Sequence, residues 1–426
     1  MYKELRGKKL LILGGILSMI EVIQRAHEYG IHVTVTDYLE NSPAKKYADK
    51  SFLISTTDVD AVVELCRKES IDGIYTGNVD LLLPYYADIC EKTGLPCYGT
   101  KEHFKIMTDK KLFKDICRKY GVPTIHEYTL SDIKNNNIKY PVIVKPIDSS
   151  GSRGISICHN KDELESGIEK ALSFSPSKQY IVEQYMTGDE VVLYYYFQDG
   201  NPVFIGMCDR YVDNEQQGVA QLPTAYIFPS KHLDDHLKNT DGLIKNMFKG
   251  LKMQNGPIFL QGFIENGIPY IYEPGYRTNG AREQYIFGSI NNVDSVDMLL
   301  HFALTGRMSD INIEKISDPF IHGKYACKLS PLIKKGKVEQ IVGLDDIIDY
   351  PSVVKVVLNN NVGDEITDDK IGTLQQVAYR AFIVEDSLSA LKDTIDSIYR
   401  SVKYYDTNGS SMMLKEFDTS ILLKDY

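Results

Sequence analysis

Tyr140-Pro141-Val142-Ile143-Val144-Lys145-Pro146 runs through Ile147 into Asp148-Ser149-Ser150-Gly151-Ser152-Arg153-Gly154. The first half is a β-branched run that reads as a strand carrying one lysine. The second half is built of small residues, which let backbone N–H groups approach phosphate oxygens that bulky side chains would keep away. A lysine just ahead of such a loop supplies a point charge for the same phosphates. Taken alone, a glycine-serine loop after a strand is more often a plain turn, so the surrounding chain has to decide. Downstream, 180–186 reads as a strand ending at Thr187-Gly188-Asp189-Glu190. Then come a strong β run at 191–197, a turn at Asp199-Gly200-Asn201-Pro202 and a hairpin partner at 203–207. A further strand at 257–263 turns at Glu265-Asn266-Gly267 into Pro269-Tyr270-Ile271-Tyr272-Glu273-Pro274-Gly275-Tyr276-Arg277.

Upstream the pattern changes. Leu10-Leu11-Ile12-Leu13, closed by Gly14-Gly15, reads as a buried parallel strand and its turn. Met19, Val22, Ile23 and Ala26 then mark one helical face. The spacing recurs at Val59/Val62/Val63/Cys66, Leu83/Tyr86/Ala87/Cys90 and Phe113/Ile116/Cys117/Tyr120. Short strands are expected between these helices at 31–35, 51–54, 73–75 and 96–98. Such alternation specifies an open α/β sheet with helices on both faces. Gly14-Gly15 with Asp37 brings a nicotinamide site to mind, but G-G-I-L-S lacks the third glycine of that fingerprint. These loops are expected instead to face a cleft shared with the next domain.

At 426 residues the chain has room for two or three domains. Its 48 Lys+Arg against 58 Asp+Glu give a net charge of -10, which argues against a general nucleic-acid binder. The seven cysteines form no C-x-x-C pair and suit free thiols in a reducing cytosol. The N-terminal apolar run is too short for a secretory signal, and no window approaches a membrane-spanning length. A soluble, cytoplasmic protein is expected.

The order of these pieces resembles the ATP-grasp superfamily of ATP-dependent ligases, in the carboxylate–amine ligase type. The matching elements are D-K at Asp109-Lys110, G-V-P-T from Gly121 to Thr124 and P-V-I-V-K-P from Pro141 to Pro146. They continue with the S-S-G-S-R-G loop, V-E-Q-Y-M-T-G-D-E from Val182 to Glu190, and E-P-G-Y-R from Glu273 to Arg277. The resemblance implies an α/β pre-ATP-grasp domain at 1–105, an α+β ATP-grasp domain at 106–305 and a mixed α/β C-terminal portion at 306–426 packing on the grasp. It implies ATP and Mg²⁺ as cofactors, with Lys110 and Lys145 on the phosphates. The loop containing Ser150, Gly151, Ser152, Arg153 and Gly154 would close over them. Glu183 would accept from the adenine amino group, the backbone near Tyr185 and Met186 would pair with the ring edge, and Glu190 would hold the ribose. A carboxylate accepts only, which suits an amine or a pair of hydroxyls. Small-molecule carboxylate and amine substrates are implied, and a homodimer is the family-level expectation.

The metal end departs from the family's pattern. Gln261 stands where a first acid is expected, Glu273 is kept, and Gly275 replaces an asparagine. Mg²⁺ is often held by one or two carboxylates plus waters and substrate phosphates, so Glu273 and Gln261 are expected to hold one ion. Arg277 and Lys145 are the catalytic candidates, stabilising charge on the transferring phosphoryl group. Arg210 is a candidate for a substrate carboxylate, against the alternative of a surface Arg beside a surface Asp209. His232 and His236 lack an H-E-x-x-H context and are expected on an exposed helix. The C-terminal portion offers strands at 325–329, 353–358 and 377–384 and a final helix, with no chemical motif. Two other functions fit the same motifs: a bicarbonate-activating carboxylase, and a non-catalytic ATP-binding regulator suggested by the altered metal positions.

Overall fold

The computed structural model describes residues 2–147, 154–212 and 222–426. The apolar run after Lys8 forms β1 (Lys9–Leu13), flanked by β2 (His32–Thr36) on one side and β4 (Gly73–Thr76) on the other, with β3 (Lys50–Phe52) outermost. All pairings are parallel. The helices α1 (Ser18–Glu28), α2 (Val59–Glu69) and α3 (Leu83–Thr93) bury the faces that their spacing predicts: Met19, Val22, Ile23 and Ala26 in α1, and Leu83, Tyr86, Ala87 and Cys90 in α3. In the order β3-β2-β1-β4 the connections reverse direction at β1. The loops after β1 and β4 therefore meet outside the carboxyl ends of the strands, where α/β sheets bind ligands. Ser18 Oγ donates to Asn78 Oδ1 at 3.0 Å across that point. Asp37 does not wait there for a ribose. Its carboxylate accepts from Gly15 N–H at 2.6 Å and Leu39 N–H at 2.8 Å, pinning its own loop.

The strand expected at 96–98 does not form. Pro96 has no N–H for a ladder, and the Tyr98 carbonyl accepts from the Tyr276 hydroxyl at 2.8 Å instead. The strand expected at 51–54 starts one residue earlier and ends two earlier, at Lys50–Phe52. The helices α4 (Lys101–Thr108) and α5 (Lys110–Tyr120) then lead to a four-stranded antiparallel sheet. Its strands are β5 (Glu127–Tyr128), β6 (Val142–Pro146), β7 (Ser156–Cys158) and β8 (Tyr180–Gln184), in the order β5-β8-β6-β7.

The second sheet of the grasp has eight antiparallel strands. β9 (Glu190–Gln198), β10 (Asn201–Val212), β11 (Pro223–Phe228), β12 (Gly256–Glu265) and β13 (Ile268–Gly275) are joined by β14 (Tyr325–Leu329), and beyond β15 (Gly336–Val342) and β17 (Glu365–Ile366) by β16 (Val353–Leu358) and β18 (Tyr379–Glu385). The order β13-β12-β9-β10-β11-β14-β18-β16 carries the sheet straight across residue 305. Register aligns Glu190 with Arg210, Arg210 with Tyr226, Tyr226 with Lys328 and Lys328 with Phe382. Directly paired residues point to one side of a sheet, so these side chains form a row across five strands on a single face. The register also places Gln261 beside Val192 and opposite Glu273 on that face. All seven cysteines are free, and Cys158 and Cys208 are buried. No helix among the described residues is long and apolar enough to cross a membrane.

Candidate nucleotide and phosphoryl-transfer site

Three lysines gather between α5 and the small sheet. Asp109 caps α5, accepting from Lys111 N–H and Leu112 N–H, both at 3.0 Å. That places Lys110 on the first turn and Lys114 one turn further along. Lys114 is 1% exposed and Glu183 on β8 is 0% exposed. The Glu183 carboxylate forms ion pairs with Lys114 through one oxygen and with Lys145 through the other, and Glu127 stands 3.9 Å from Lys114. Burial, with Lys114 and Lys110 alongside, pushes the Lys145 amine down to about 7, while Glu273 and Glu127 pull the other way. Burial likewise lowers Lys114 to about 8. The Glu183 side chain is thus engaged by both amines.

Beside this cluster, the Tyr185 N–H donates to Pro141 O at 3.2 Å, whereas the Met186 N–H has no backbone acceptor among the described residues. A free donor on a buried residue fits the ring edge of a purine. Gly154, at φ +79, closes the loop after β6. A Cβ there would lie 2.7 Å from Phe174 Cβ and 2.8 Å from Pro146 Cγ, so only glycine fits. Ser150, Gly151, Ser152 and Arg153 lie outside the described residues.

On the large sheet, Glu190 and Arg210 form an ion pair with each other. Glu190 also accepts from Tyr272 Oη at 2.5 Å, and Tyr272 Oη lies 3.0 Å from Gln261 Oε1. Arg210 is thus neither a surface residue nor a free guanidinium. It is held by Glu190, with its Nε 3.4 Å from Tyr226 Oη. Asp209 is buried too, bonded by Ser230 Oγ and Tyr426. Glu273 and Gln261 face each other across β13 and β12. A Cβ on Gly275 would meet the Phe259 ring at 2.2 Å, so Phe259 fills the space an asparagine would need. The donors at this place are one carboxylate and one amide oxygen. They fit one Mg²⁺ completed by waters and phosphates, and not two. The described residues group three His, Cys, Asp or Glu ligands only at Glu4, His301 and Asp310, not at Glu273.

Arg277 reaches the N-terminal domain. Its Nε and Nη2 each lie 2.7 Å from an oxygen of Asp80, in the loop after β4, and the guanidinium stacks 5.2 Å from the Phe259 ring centroid. His236, expected exposed, is fully buried between Tyr195 Oη at 2.9 Å and Thr240 Oγ1 at 2.6 Å, and burial lowers it to about 4. The C-terminal strands, read as lacking chemistry, place Lys328 and Arg380 on the same sheet face. Among the residues missed, Lys114 had a signal: it follows Lys110 by one helical turn and falls on the Cys117 side of α5. Lys328 is a lone charge inside the run Tyr325-Ala326-Cys327-Lys328-Leu329.

Residues 138–271 match the ATP-grasp domain family. The chain carries an ATP-grasp domain. The fold of this ATP-grasp protein is shared with phosphoribosylglycinamide synthetase from Anaerococcus prevotii, at TM-score 0.74 and 20% identity over 94% of this chain and 100% of that one. It is shared equally with L-amino acid ligase from Bacillus licheniformis, at TM-score 0.75 and 19% identity over 95% and 100%. The biotin carboxylase domain dimer of Hydrogenobacter thermophilus 2-oxoglutarate carboxylase, in complex with MgADP and bicarbonate, gives TM-score 0.74 at 20% identity over 95% and 91%. In sequence, the chain is 30% identical over 209 residues to formate-dependent phosphoribosylglycinamide formyltransferase of Sulfurisphaera tokodaii, covering 45% of this chain and 51% of that one. It is 29% identical over 270 residues to methylcrotonoyl-CoA carboxylase subunit alpha of Dictyostelium discoideum, covering 56% and 38%. The chain spans about half the length, or less, of these curated relatives.

Proposed function

We propose that this ATP-grasp protein is an ATP-dependent ligase that activates a small-molecule carboxylate as an acyl phosphate for attack by an amine. The observation that carries the reading is the pairing of two charge sets across the grasp. Lys145, Lys114 and Lys110 lie on one side, and Glu273 on the other partly opposes the burial that lowers the Lys145 amine. A carboxylate oxygen attacks the terminal phosphorus of ATP and ADP departs. An amine nitrogen then attacks the acyl carbon, losing a proton as inorganic phosphate leaves. The protein's part in such chemistry is alignment and charge neutralisation. The lysines would hold phosphate oxygens, the Met186 N–H would take the purine edge, and Glu190, already oriented by Arg210 and Tyr272, would take the ribose. Glu273 and Gln261 would hold Mg²⁺, which supplies charge neutralisation between the phosphates when bound.

The test is inorganic phosphate release from ATP and Mg²⁺ in the presence of pooled carboxylates and amines. Lys145→Ala and Glu273→Ala should each lower release by about a hundredfold or more while leaving the far-ultraviolet circular dichroism unchanged. Near-normal release in either variant would sink the assignment. A second reading, bicarbonate activation, is favoured by the carboxylases among the sequence relatives. Release that requires bicarbonate and no amine would select it, and nucleotide binding without release from any pool would select a regulatory ATP-binding protein.

A further inference from the structure

His301 is fully buried, one turn from the C-terminal end of the helix Ser295–Thr305. Its Nδ1 lies 2.7 Å from the carbonyl oxygen of Arg307. A carbonyl only accepts, so Nδ1 carries the ring proton, and Nε2 of the neutral imidazole presents a lone pair. That lone pair meets two carboxylates rather than a donor: Glu4 Oε1 at 3.1 Å and Asp310 Oδ2 at 3.7 Å. The ligand atoms of the three side chains all lie within 4.8 Å of one another. The other oxygen of Asp310 is taken by Arg307 Nη2 at 2.9 Å, which leaves Oδ2 turned toward the imidazole. Tyr2 stacks on the ring with centroids 4.5 Å apart and covers that face.

Three electron-pair donors that converge with no hydrogen between them need a cation at their centre. A proton on Nε2 answers only the nearer oxygen, because 3.7 Å is beyond a hydrogen bond. A divalent ion answers all three. Zn²⁺ in a tetrahedron of N and O ligands sets the ligand atoms roughly 3.3 Å apart, between the two separations seen at Nε2. Metal-bound histidines characteristically donate the other ring N–H to a backbone carbonyl or carboxylate, as His301 does to Arg307. The negative end of the helix dipole adds to the attraction for a cation. We propose that Glu4, His301 and Asp310 hold one divalent transition-metal ion of the zinc type, with water in the fourth position. An imidazole ligand favours such an ion over Mg²⁺, which takes oxygen ligands. Both carboxylates are exposed, so the ion reaches the buried nitrogen from solvent. It would tie the turn Lys3–Leu5, ahead of β1, to a helix pressed on β4 so closely that a Cβ on Gly73 would stand 2.1 Å from Ala303 O. The ion is a structural staple, and none of its ligands belongs to the nucleotide and phosphoryl-transfer site.

Calorimetric titration of the full chain with Zn²⁺, after treatment with a chelator and in excess Mg²⁺, tests this. One Zn²⁺ should bind per chain, and the Tm should climb with free Zn²⁺ but not with Mg²⁺. Glu4→Gln and Asp310→Asn replace exposed side chains and should leave the fold intact. Each should weaken Zn²⁺ by about tenfold or more, while Glu273→Ala should leave its affinity unchanged. In hydrogen exchange, amides of residues 2–8 should slow on addition of Zn²⁺ in the wild type and not in Glu4→Gln. Zinc affinity that is unchanged in both carboxylate variants, or lost in Glu273→Ala instead, overturns the site. A wild type that binds no Zn²⁺ also overturns it and leaves the three side chains as an imidazolium ion pair. Either failure leaves the ligase reading standing, since that reading is tested by phosphate release.

Discussion

The carboxylate of Glu183 lies between two amines with no solvent exposure, so its charge is met by Lys114 and Lys145 together. Removing it leaves two buried ammonium groups facing each other. Glu183→Gln, which keeps the shape, should cost about 3 kcal/mol or more in urea denaturation. A cost under ~1 kcal/mol would mean another group supplies the counter-charge. One carboxylate for two amines also sets the pH behaviour. Lys145 is held at about 7, against about 10.4 in an unfolded chain. Between those values the unfolded chain binds more protons, so this group's contribution to stability rises with pH. Bound phosphates act in the opposite sense, because they favour the ammonium form. ATP binding at about pH 8 should therefore take up protons, and affinity should weaken as pH rises above about 7. Calorimetry in buffers of differing ionisation enthalpy measures the uptake, and Lys145→Met should reduce it sharply. Uptake unchanged in that variant would remove Lys145 from the phosphates.

Among the elements, the join between the N-terminal α/β sheet region and β13 is made by two tyrosines. The Tyr276 hydroxyl lies 2.8 Å from Tyr98 O and 2.5 Å from Asn255 O, while Tyr98 Oη donates to Tyr276 O at 3.2 Å. Rings of Tyr98, Phe104 and Phe197 surround Tyr276. Tyr276→Phe keeps those ring contacts and strands buried carbonyls, so it should cost ~1–3 kcal/mol by urea denaturation. A neutral substitution would show that water reaches the carbonyls. The same join marks the limit of what sequence periodicity conveys. The α1 and α3 faces were legible because a helix facing one core must repeat its apolar residues every turn. The segment 96–98 looked like another strand, but the Tyr98 carbonyl is met by Tyr276, a partner that no local pattern displays. Lys114, Lys328 and Arg380 escaped for a related reason. A charge inside an apolar element can lie on a wet face or a dry one, and which one depends on the strands packed opposite. Glu190 and Arg210 each stood out in the sequence as candidates, yet their mutual pairing follows only from the β9–β10 register.

At the scale of the whole molecule, the apolar interior is divided unequally. One core runs without a break from β1 and the N-terminal helices into β9, β10 and β12, and a second lies under β14, β18 and the final helix Leu388–Ser401. The small sheet has its own minor core of Val142, Val144, Cys158, Leu164, Ala171 and Val182. Local opening is easiest where little apolar area is buried. In hydrogen exchange, amides of β6, β7 and β8 should therefore exchange before those of β9 and β10, and slow exchange throughout would contradict this division. The half of the grasp that carries Lys145 is then the half that opens, while Glu273, Arg210 and Lys328 stay on the rigid wall. Phe259 and Gly275 belong to that wall, and their fit constrains the history of the protein. An asparagine at 275 alone would collide with the ring, and a smaller residue at 259 alone would leave a hole and remove the surface on which Arg277 rests. Neither single step is neutral, so the two positions are bound to change together, and the absence of an asparagine two residues after Glu273 is locked in by epistasis as much as by chemistry.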